Sequence, residues 1–188
     1  GVNISSSGEA GLFYGTRTLL QLLKRHGDKV YINHLTISDK PDIGQRAAHY
    51  DTKHHQDKYE YVQSFIRDLA DYKINMLLWE WEDKFEYPSH PEIGAPGAFT
   101  KEQMQALTAY ARKYHVQIVP MVQGLGHVSF ILKWPQFAHV REIPSSNWEV
   151  CPLKEGSYDL LFELWKDAMD ATPGSKYMHI GCDETYEL

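Results

Sequence analysis

Apolar residues recur along the chain with two spacings, and the alternation of these spacings predicts the secondary structure. A spacing of three and four residues marks one face of a helix, and it predicts helices at residues 57–73, 100–114 and 158–169. Short apolar or alternating runs predict strands at residues 46–50, 74–81, 116–122 and 177–180. This order of strand and helix predicts βα units on a parallel sheet.

The segment before residue 42 follows a different pattern. Residues 5–27 begin with a serine-rich cap and continue as an amphipathic helix, and residues 30–37 alternate as an extended piece. Pro41, within Asp39-Lys40-Pro41-Asp42, disfavours helical geometry in its neighbour and indicates a linker. We therefore expect a domain boundary near residue 41.

The four predicted strands indicate four βα units, and the number of residues limits how these units can close. A closed (β/α)8 barrel usually needs about 250 residues, which is more than residues 42–188 provide. No helix is predicted after the strand at 177–180, so this strand would leave an open sheet edge, and self-association through that edge is expected. The pattern fits either a small open sheet or the first half of a barrel.

Composition and charge argue against several classes of protein. Nineteen Lys and Arg against 25 Asp and Glu give a formal net charge of -6 in 188 residues. A general binder of nucleic acid or of anionic membranes needs a basic face, so neither function is expected. No apolar run reaches the roughly 18 residues of a membrane span. The chain starts at Gly1 without a visible signal peptide, which leaves the compartment open, cytoplasmic or exported.

Polar residues cluster where the predicted strands end, and parallel βα folds place their active sites at the carboxyl ends of strands. The four clusters are Arg46 with His49 and Asp51, Glu80 with Glu82 and Asp83, Gln123 with His127, and Asp183 with Glu184. The sequence has no Walker loop, no GxGxxG and no GxSxG, so nucleotide binding and serine hydrolysis have no support. The four clusters are therefore the candidate site.

The last cluster ends a strand with two adjacent carboxylates, in the segment His179-Ile180-Gly181-Cys182-Asp183-Glu184. Neighbouring residues of a regular strand point to opposite faces, so Asp183 and Glu184 can serve one site only if the backbone turns there. Two close carboxylates resist joint ionisation, and one protonated acid beside an ionised one suits the cleavage of an acetal. Taken alone, the same dipeptide would more often cap a following helix.

The order of the four clusters resembles glycoside hydrolase family 20, the β-N-acetylhexosaminidases, and within it the hexosaminidase D-like branch. The family's catalytic strand reads His-x-Gly-Gly-Asp-Glu, and its third strand usually ends in Pro-Glu-x-Asp-x-Pro-Gly-His. The matching positions here are Arg46 and Asp51 in the first strand, Asp83 after the second, Pro120–His127 in the third and His179–Glu184 in the fourth. Cys182 replaces one glycine, and Gln123 replaces the usual Asp, as in the D-like branch.

This resemblance implies a fold and a substrate. Residues 1–41 would be the C-terminal part of a small accessory α/β domain with its linker. Residues 42–188 would be the first four βα units of an α/β fold, the N-terminal half of a TIM (β/α)8 barrel. The substrate would be a carbohydrate with a terminal N-acetylglucosamine or N-acetylgalactosamine, and neither a cofactor nor a metal is expected.

The resemblance also implies a reaction, a retaining exo-hydrolysis in which the 2-acetamido oxygen of the substrate attacks the anomeric carbon. Glu184 would be the general acid and then the base, and Asp183 would orient the acetamido group and stabilise the oxazolinium intermediate. The implied substrate-binding and network residues are Arg46, Asp83 and His127, with His179, Glu80 and Gln123 in support.

Two other functions stay open from the residues alone. A metal-dependent hydrolase would use His49 and Asp51 on one strand face, near His54 and His55, and would lose activity with a chelator. A sugar-binding domain without turnover would bind N-acetylglucosamine but leave an aryl glycoside intact. The glycosidase hypothesis instead predicts inhibition by a thiazoline mimic of the intermediate.

Overall fold

The computed structural model describes residues 1–186, so the last two residues of the predicted barrel segment, 187 and 188, lie outside the described residues. The helices are α1 (Glu9–Leu22), α2 (Tyr59–Asp71), α3 (Lys101–Arg112), α4 (Ser129–Leu132) and α5 (Ser157–Ala171). The strands are β1 (Lys24–His26), β2 (Lys29–Tyr31), β3 (Ala47–Asp51), β4 (Met76–Glu80) and β5 (Gln117–Met121). Short 3-10 helices span Glu82–Lys84, Pro91–Ile93 and Pro135–Val140.

Strands β3, β4 and β5 form a parallel sheet with β4 in the centre. Asp51 pairs with Glu80, and Glu80 pairs with Met121, so the carboxyl ends of all three strands are level. Helix α2 connects β3 to β4 and helix α3 connects β4 to β5, which confirms the predicted order of βα units. The residues that follow each strand are therefore delivered to one edge of the sheet.

The predicted helical faces form the core against this sheet. Helix α2 buries Val62, Ile66 and Leu69, three residues of its predicted apolar face. Helix α3 begins with a capping box: the Gln103 N–H donates to the Thr100 hydroxyl at 3.2 Å, and the Thr100 N–H donates to the Gln103 side chain at 2.9 Å. Among the helices of residues 1–186, none combines the length and apolar character that a membrane crossing requires.

Strand β3 presents one packed face and one open face. Ala48 and Tyr50 are half-buried and pack against the core, whereas Ala47, His49 and Asp51 are exposed. Successive side chains of a strand point to opposite faces, so the three exposed residues share the face turned away from the helices. The polar residues at the carboxyl end of β3 therefore border an open space.

The fourth predicted strand, 177–180, is reduced to a single bridge. His179 pairs with Met121 in parallel: the His179 N–H donates to the Pro120 carbonyl at 3.0 Å, and the Val122 N–H donates to the His179 carbonyl at 3.2 Å. The backbone then leaves the extended conformation, with positive φ at Gly181 and Cys182. The prediction of a full strand is wrong, but the segment lies beside β5 as expected.

The predicted helix at 5–27 is also too long. Helix α1 ends at Leu22, and the chain then forms the antiparallel hairpin of β1 and β2, in which His26 pairs with Lys29. The two residues between them, Gly27 and Asp28, are typical of a tight hairpin turn. The predicted extended piece at 30–37 retains strand geometry only to Tyr31.

Candidate active site

The two adjacent carboxylates meet a single histidine. The His127 Nε2 atom lies 3.4 Å from an Asp183 carboxylate oxygen and 3.0 Å from a Glu184 carboxylate oxygen. Positive φ values at Gly181, Cys182 and Glu184 turn the backbone, which frees the two acids from the opposite directions of a regular strand. The structure thus brings together the last two polar clusters, as the sequence requires for a shared site.

The loop that carries His127 reaches this turn because Gly126 lets two backbones touch. A Cβ atom at position 126 would lie 2.4 Å from the Asp183 carbonyl oxygen, closer than any side chain can approach. His127 itself adopts a positive φ of 57°, an uncommon conformation for a residue with a side chain. Close approach and backbone strain at this point are typical of functional sites.

Asp183 is held in its ionised form. Burial disfavours the charge, but the Asp183 backbone N–H, the Gln123 side chain and the positive charges of His127 and Lys53 outweigh that effect and lower its pKa. The Asp183 side chain remains about half exposed, at 54%. It is therefore a carboxylate that solvent or a ligand can still reach.

A fully buried carboxylate, Glu80, lies behind the two acids at the end of β4. Its oxygens accept hydrogen bonds from Gln123 Nε2 at 2.7 Å and approach His49 Nε2 at 3.1 Å and Lys53 Nζ at 3.2 Å. Lys53 also lies 3.3 Å from Asp51. This group joins the first three sequence clusters, because a buried charge requires partners.

Lys53 is a site residue that the sequence analysis missed. Burial disfavours its charge, but the neighbouring carboxylates Glu80 and Asp51 outweigh that effect and raise its pKa. One sequence signal could have indicated Lys53. It follows His49 by four residues and Asp51 by two, which is the spacing of one strand face.

Trp148 is a second site residue that the sequence did not single out, because it is one of five tryptophans. Its ring lies 4.6 Å from the ring of His127, and its N–H donates to the Glu184 carbonyl at 2.8 Å.

Arg46 lies at the other end of the sheet. It precedes β3, and its guanidinium donates to the carbonyls of Lys73 at 2.7 Å and Ile43 at 2.8 Å, above the ring of Tyr14. The expectation that Arg46 shares a strand end with His49 and Asp51 is wrong, because the strand separates them. Backbone carbonyls satisfy this cation in the described structure.

The second cluster also divides differently from the expectation. The Asp83 carboxylate pairs with Lys84 and, at 3.4 Å, with Lys133. Glu82 is the acid next to the buried group: burial, followed by the nearby charge of Glu80, raises its pKa to about 7. Asp83 thus contacts Lys84 and Lys133, and its expected role as a network residue stays a prediction.

His179 shapes the turn. Its Nδ1 atom accepts the Gly181 N–H at 3.0 Å, which closes the backbone over two residues. Its role is therefore to support the turn that carries Asp183 and Glu184.

The metal alternative finds no matching geometry within residues 1–186, where no group of three or more His, Cys, Asp or Glu side chains is arranged to hold a metal ion. His49 approaches Glu80 and Asp51 approaches Lys53, so the two proposed ligands have other partners. His55 pairs with Asp57 at 3.1 Å.

Comparison with known proteins agrees with this arrangement. Residues 44–187 match the family model "Glycosyl hydrolase family 20, catalytic domain", and residues 1–40 match "Glycosyl hydrolase family 20, domain 2". Hexosaminidase D of Bos taurus is 31% identical over 144 residues, covering 76% of this chain and 42% of that protein. Hexosaminidase D of Homo sapiens is 31% identical over 153 residues, covering 81% of this chain and 32% of that protein.

Solved structures show the same similarity. The chitobiase of Flavobacterium johnsoniae superimposes with a TM-score of 0.81 at 28% identity, covering 91% of this chain and 28% of that one. A mutant β-hexosaminidase of Streptomyces plicatus, in complex with its product GlcNAc, superimposes with a TM-score of 0.79 at 26% identity, covering 93% and 41% of the two chains. The chain spans roughly a third to two-fifths of the length of the Hexosaminidase D proteins. Its catalytic-domain match shows that this chain belongs to glycoside hydrolase family 20.

Proposed function

We propose that this chain is part of an exo-acting β-N-acetylhexosaminidase that removes a terminal N-acetylglucosamine or N-acetylgalactosamine from a carbohydrate. The observation that carries this proposal is the contact of both Asp183 and Glu184 with one nitrogen of His127. Two acids of different protonation beside one sugar are suited to cleaving an acetal. The similarity to a hexosaminidase solved with GlcNAc supports the choice of amino sugar.

In the proposed reaction Glu184 donates a proton to the glycosidic oxygen as the bond to the anomeric carbon breaks. The 2-acetamido oxygen of the same sugar forms the new bond to that carbon, which gives an oxazolinium ion and releases the aglycone as an alcohol. Water then attacks the anomeric carbon while Glu184 takes one of its protons, and the bond from that carbon to the acetamido oxygen breaks, which restores the acetamido group. The two displacements together retain the anomeric configuration, and no carboxylate of the protein bonds to the sugar.

Asp183 has a separate role in this scheme. Its carboxylate accepts the acetamido N–H, orients the attacking oxygen and faces the positive charge of the oxazolinium ion. A lowered pKa keeps Asp183 ionised, as that role requires. His127, which contacts both acids, would hold them in position.

We further propose that residues 42–188 form the first four βα units of a (β/α)8 barrel, and that residues 1–41 end an accessory α/β domain. The separate family matches at 1–40 and 44–187 support this division. The open face of β3, which carries His49 and Asp51, would line the barrel interior, and the remaining pocket walls would come from later strands. The isolated chain is then expected to be inactive and to self-associate through its open sheet edge.

The test uses the full-length protein that contains this chain, with 4-nitrophenyl N-acetyl-β-glucosaminide as substrate. Wild-type protein should release 4-nitrophenol, and a thiazoline mimic of the intermediate should inhibit it. Glu184→Gln should lower kcat roughly 10²–10⁴-fold, whereas Glu102→Gln on the exposed face of α3 should be neutral. Saturable binding of N-acetylglucosamine without hydrolysis, or normal turnover by Glu184→Gln, would contradict the proposal.

A further inference from the structure

Gln123 is a buried side chain at the end of β5 that connects Glu80 with the turn carrying the two acids. It is 1% exposed, and the proposed reaction gives it no chemical step. We propose that Gln123, held in one orientation by Glu80, is a positioning residue that fixes the turn carrying Asp183, and so places this carboxylate for the substrate's acetamido group. This inference rests on the proposed function.

The orientation of the Gln123 amide follows from the chemistry of Glu80. An ionised carboxylate only accepts hydrogen bonds, and Glu80 is 0% exposed, so protein donors must supply them. His49 and Lys53 approach it from β3 and the following loop, and Gln123 Nε2 donates at 2.7 Å from β5. The amide oxygen cannot replace the nitrogen there, because it would face a buried negative charge.

Once the nitrogen faces Glu80, the rest of the amide faces the turn. The Gln123 oxygen accepts the Cys182 N–H at 3.2 Å. The amide thus uses its nitrogen on Glu80 and its oxygen on Cys182, so a flip would break both interactions at once. The same side chain contributes to the lowered pKa of Asp183.

Direct packing reinforces these hydrogen bonds. A Cβ atom at Gly181 would lie 1.8 Å from the Gln123 amide oxygen, and the φ of Gly181 is +66°. The turn therefore rests against the amide at a point where only glycine fits. Its position relative to β5 is set by the Gln123 side chain in addition to the single backbone bridge at His179.

The position of Asp183 matters for the proposed reaction because the attacking oxygen belongs to a mobile acetamido group. Small errors in the geometry of reacting groups lower rates strongly. The charged groups near Asp183 are Glu184, which adjoins it, His127 and Lys53. The charged groups near Glu80 are His49, Lys53 and Glu82. Gln123 is the neutral link between these two sets.

The test replaces Gln123 with Glu in the full-length protein. This change keeps the shape of the side chain but removes both amide hydrogens and places a carboxylate between Glu80 and Asp183. We expect kcat to fall about 50-fold and the acidic limb of the kcat/KM pH profile to move upward by roughly one pH unit, because the pKa of Asp183 rises. Gln136→Glu is the matched control, since Gln136 Nε2 donates to Glu92 at 2.9 Å on the surface.

The double variant Glu80→Gln with Gln123→Glu exchanges the two side chains and provides a second test if the single variant does not fold. It distinguishes a positioning role of Gln123 from simple support of the fold. The amide introduced at position 80 can donate to the carboxylate introduced at position 123, so the buried contact and its volume are retained, but a carboxylate still lies against the turn that carries Asp183. We expect kcat to stay at least 10-fold below wild type, with the acidic limb still displaced. Recovery to within twofold of wild type would overturn the inference.

The outcomes distinguish this inference from the proposed function. If wild-type protein hydrolyses the aryl glycoside and Glu184→Gln does not, a Gln123→Glu pH profile identical to wild type defeats the positioning role alone. If wild-type protein shows no hydrolysis, the proposed function fails and the positioning role fails with it. A displaced profile in both Gln123 variants, with a normal profile for Gln136→Glu, supports the inference.

Discussion

The two ends of the parallel sheet hold charged side chains in different ways. At the amino end, the Arg46 guanidinium donates to backbone carbonyls and stacks over Tyr14. At the carboxyl end, charged side chains meet one another, as Glu80 does with Lys53 and His49. Backbone carbonyls hold a cation without titrating, whereas facing side chains shift one another's pKa. The comparison indicates that side chains which shift one another's pKa are concentrated at the carboxyl end, whereas the amino end holds its cation with the backbone.

The largest expected effect tests the chemistry at the carboxyl end. Asp183→Asn in the full-length protein should lower kcat on the aryl glycoside roughly 10²–10³-fold, because a neutral amide cannot stabilise the oxazolinium charge. The half-exposed side chain should contribute little to the melting temperature. Asp170→Asn, at a surface carboxylate paired with Lys166, is the control. Activity near the wild-type level would remove Asp183 from the reaction.

The second prediction concerns the buried charge of Glu80. Glu80→Ala should lower the free energy of unfolding by about 3 kcal/mol, because it leaves Lys53 and Gln123 without their buried acceptor. Thermal unfolding of the full-length protein measures this effect. Glu92→Ala, on the surface beside Gln136, should change stability by less than about 0.5 kcal/mol. Equal melting temperatures for the two variants would show that the carboxyl-end network adds no stability.

The third prediction tests the amino end. Arg46→Met should lower the free energy of unfolding by about 1–2 kcal/mol, because the carbonyls of Ile43, Gly44 and Lys73 lose their donors. Melting temperature and kcat/KM should be measured on the same preparation. An unchanged melting temperature with a large loss of activity would show that Arg46 reaches the sugar, and the division between the two ends would not hold.

The fourth prediction depends on pH. The folded-state pKa of Glu82 is raised to about 7 from an ordinary value of 4.5, chiefly by burial. The stability that this group contributes is therefore fully present below its unfolded pKa and is lost as pH rises through about 7. At pH 8, Glu82→Gln should be more stable than wild type by roughly 1–2 kcal/mol, with no difference near pH 4. Melting temperatures across this range provide the measurement, and exposed Glu86→Gln is the control.

The interior of the fold follows local patterns closely. Helices α2 and α3 lie within the predicted ranges, and a capping box at Thr100 begins α3. Apolar spacing works there because each helix buries one continuous face. The hairpin of β1 and β2 was missed because both strands are fully exposed, so burial leaves no signal in their sequence.

The candidate site was only partly predictable. Asp183 and Glu184 carry a recognisable motif, and the structure brings both to His127 as the hypothesis required. The sequence does not show how the acids of the second cluster divide: Asp83 pairs with Lys84, whereas burial and the charge of Glu80 act on Glu82. That division depends on the 3-10 turn after β4, whose first residue, Glu82, has a φ of +44°. Local composition does not encode a single backbone angle of this kind.

Periodicity and motif order were enough to establish the alternation of strands and helices and the presence of an acid pair after the last strand, because both are properties of adjacent residues. The hydrogen-bond partners of the site residues are not a property of adjacent residues. Glu80 and Gln123 lie 43 residues apart in the sequence, and Gln123 and Cys182 lie 59 apart. Such groups meet only when parallel strands align their carboxyl ends. The buried Glu80 carboxylate is then stabilised by hydrogen-bond donors from the neighbouring strands, since an unpaired charge away from water would destabilise the fold.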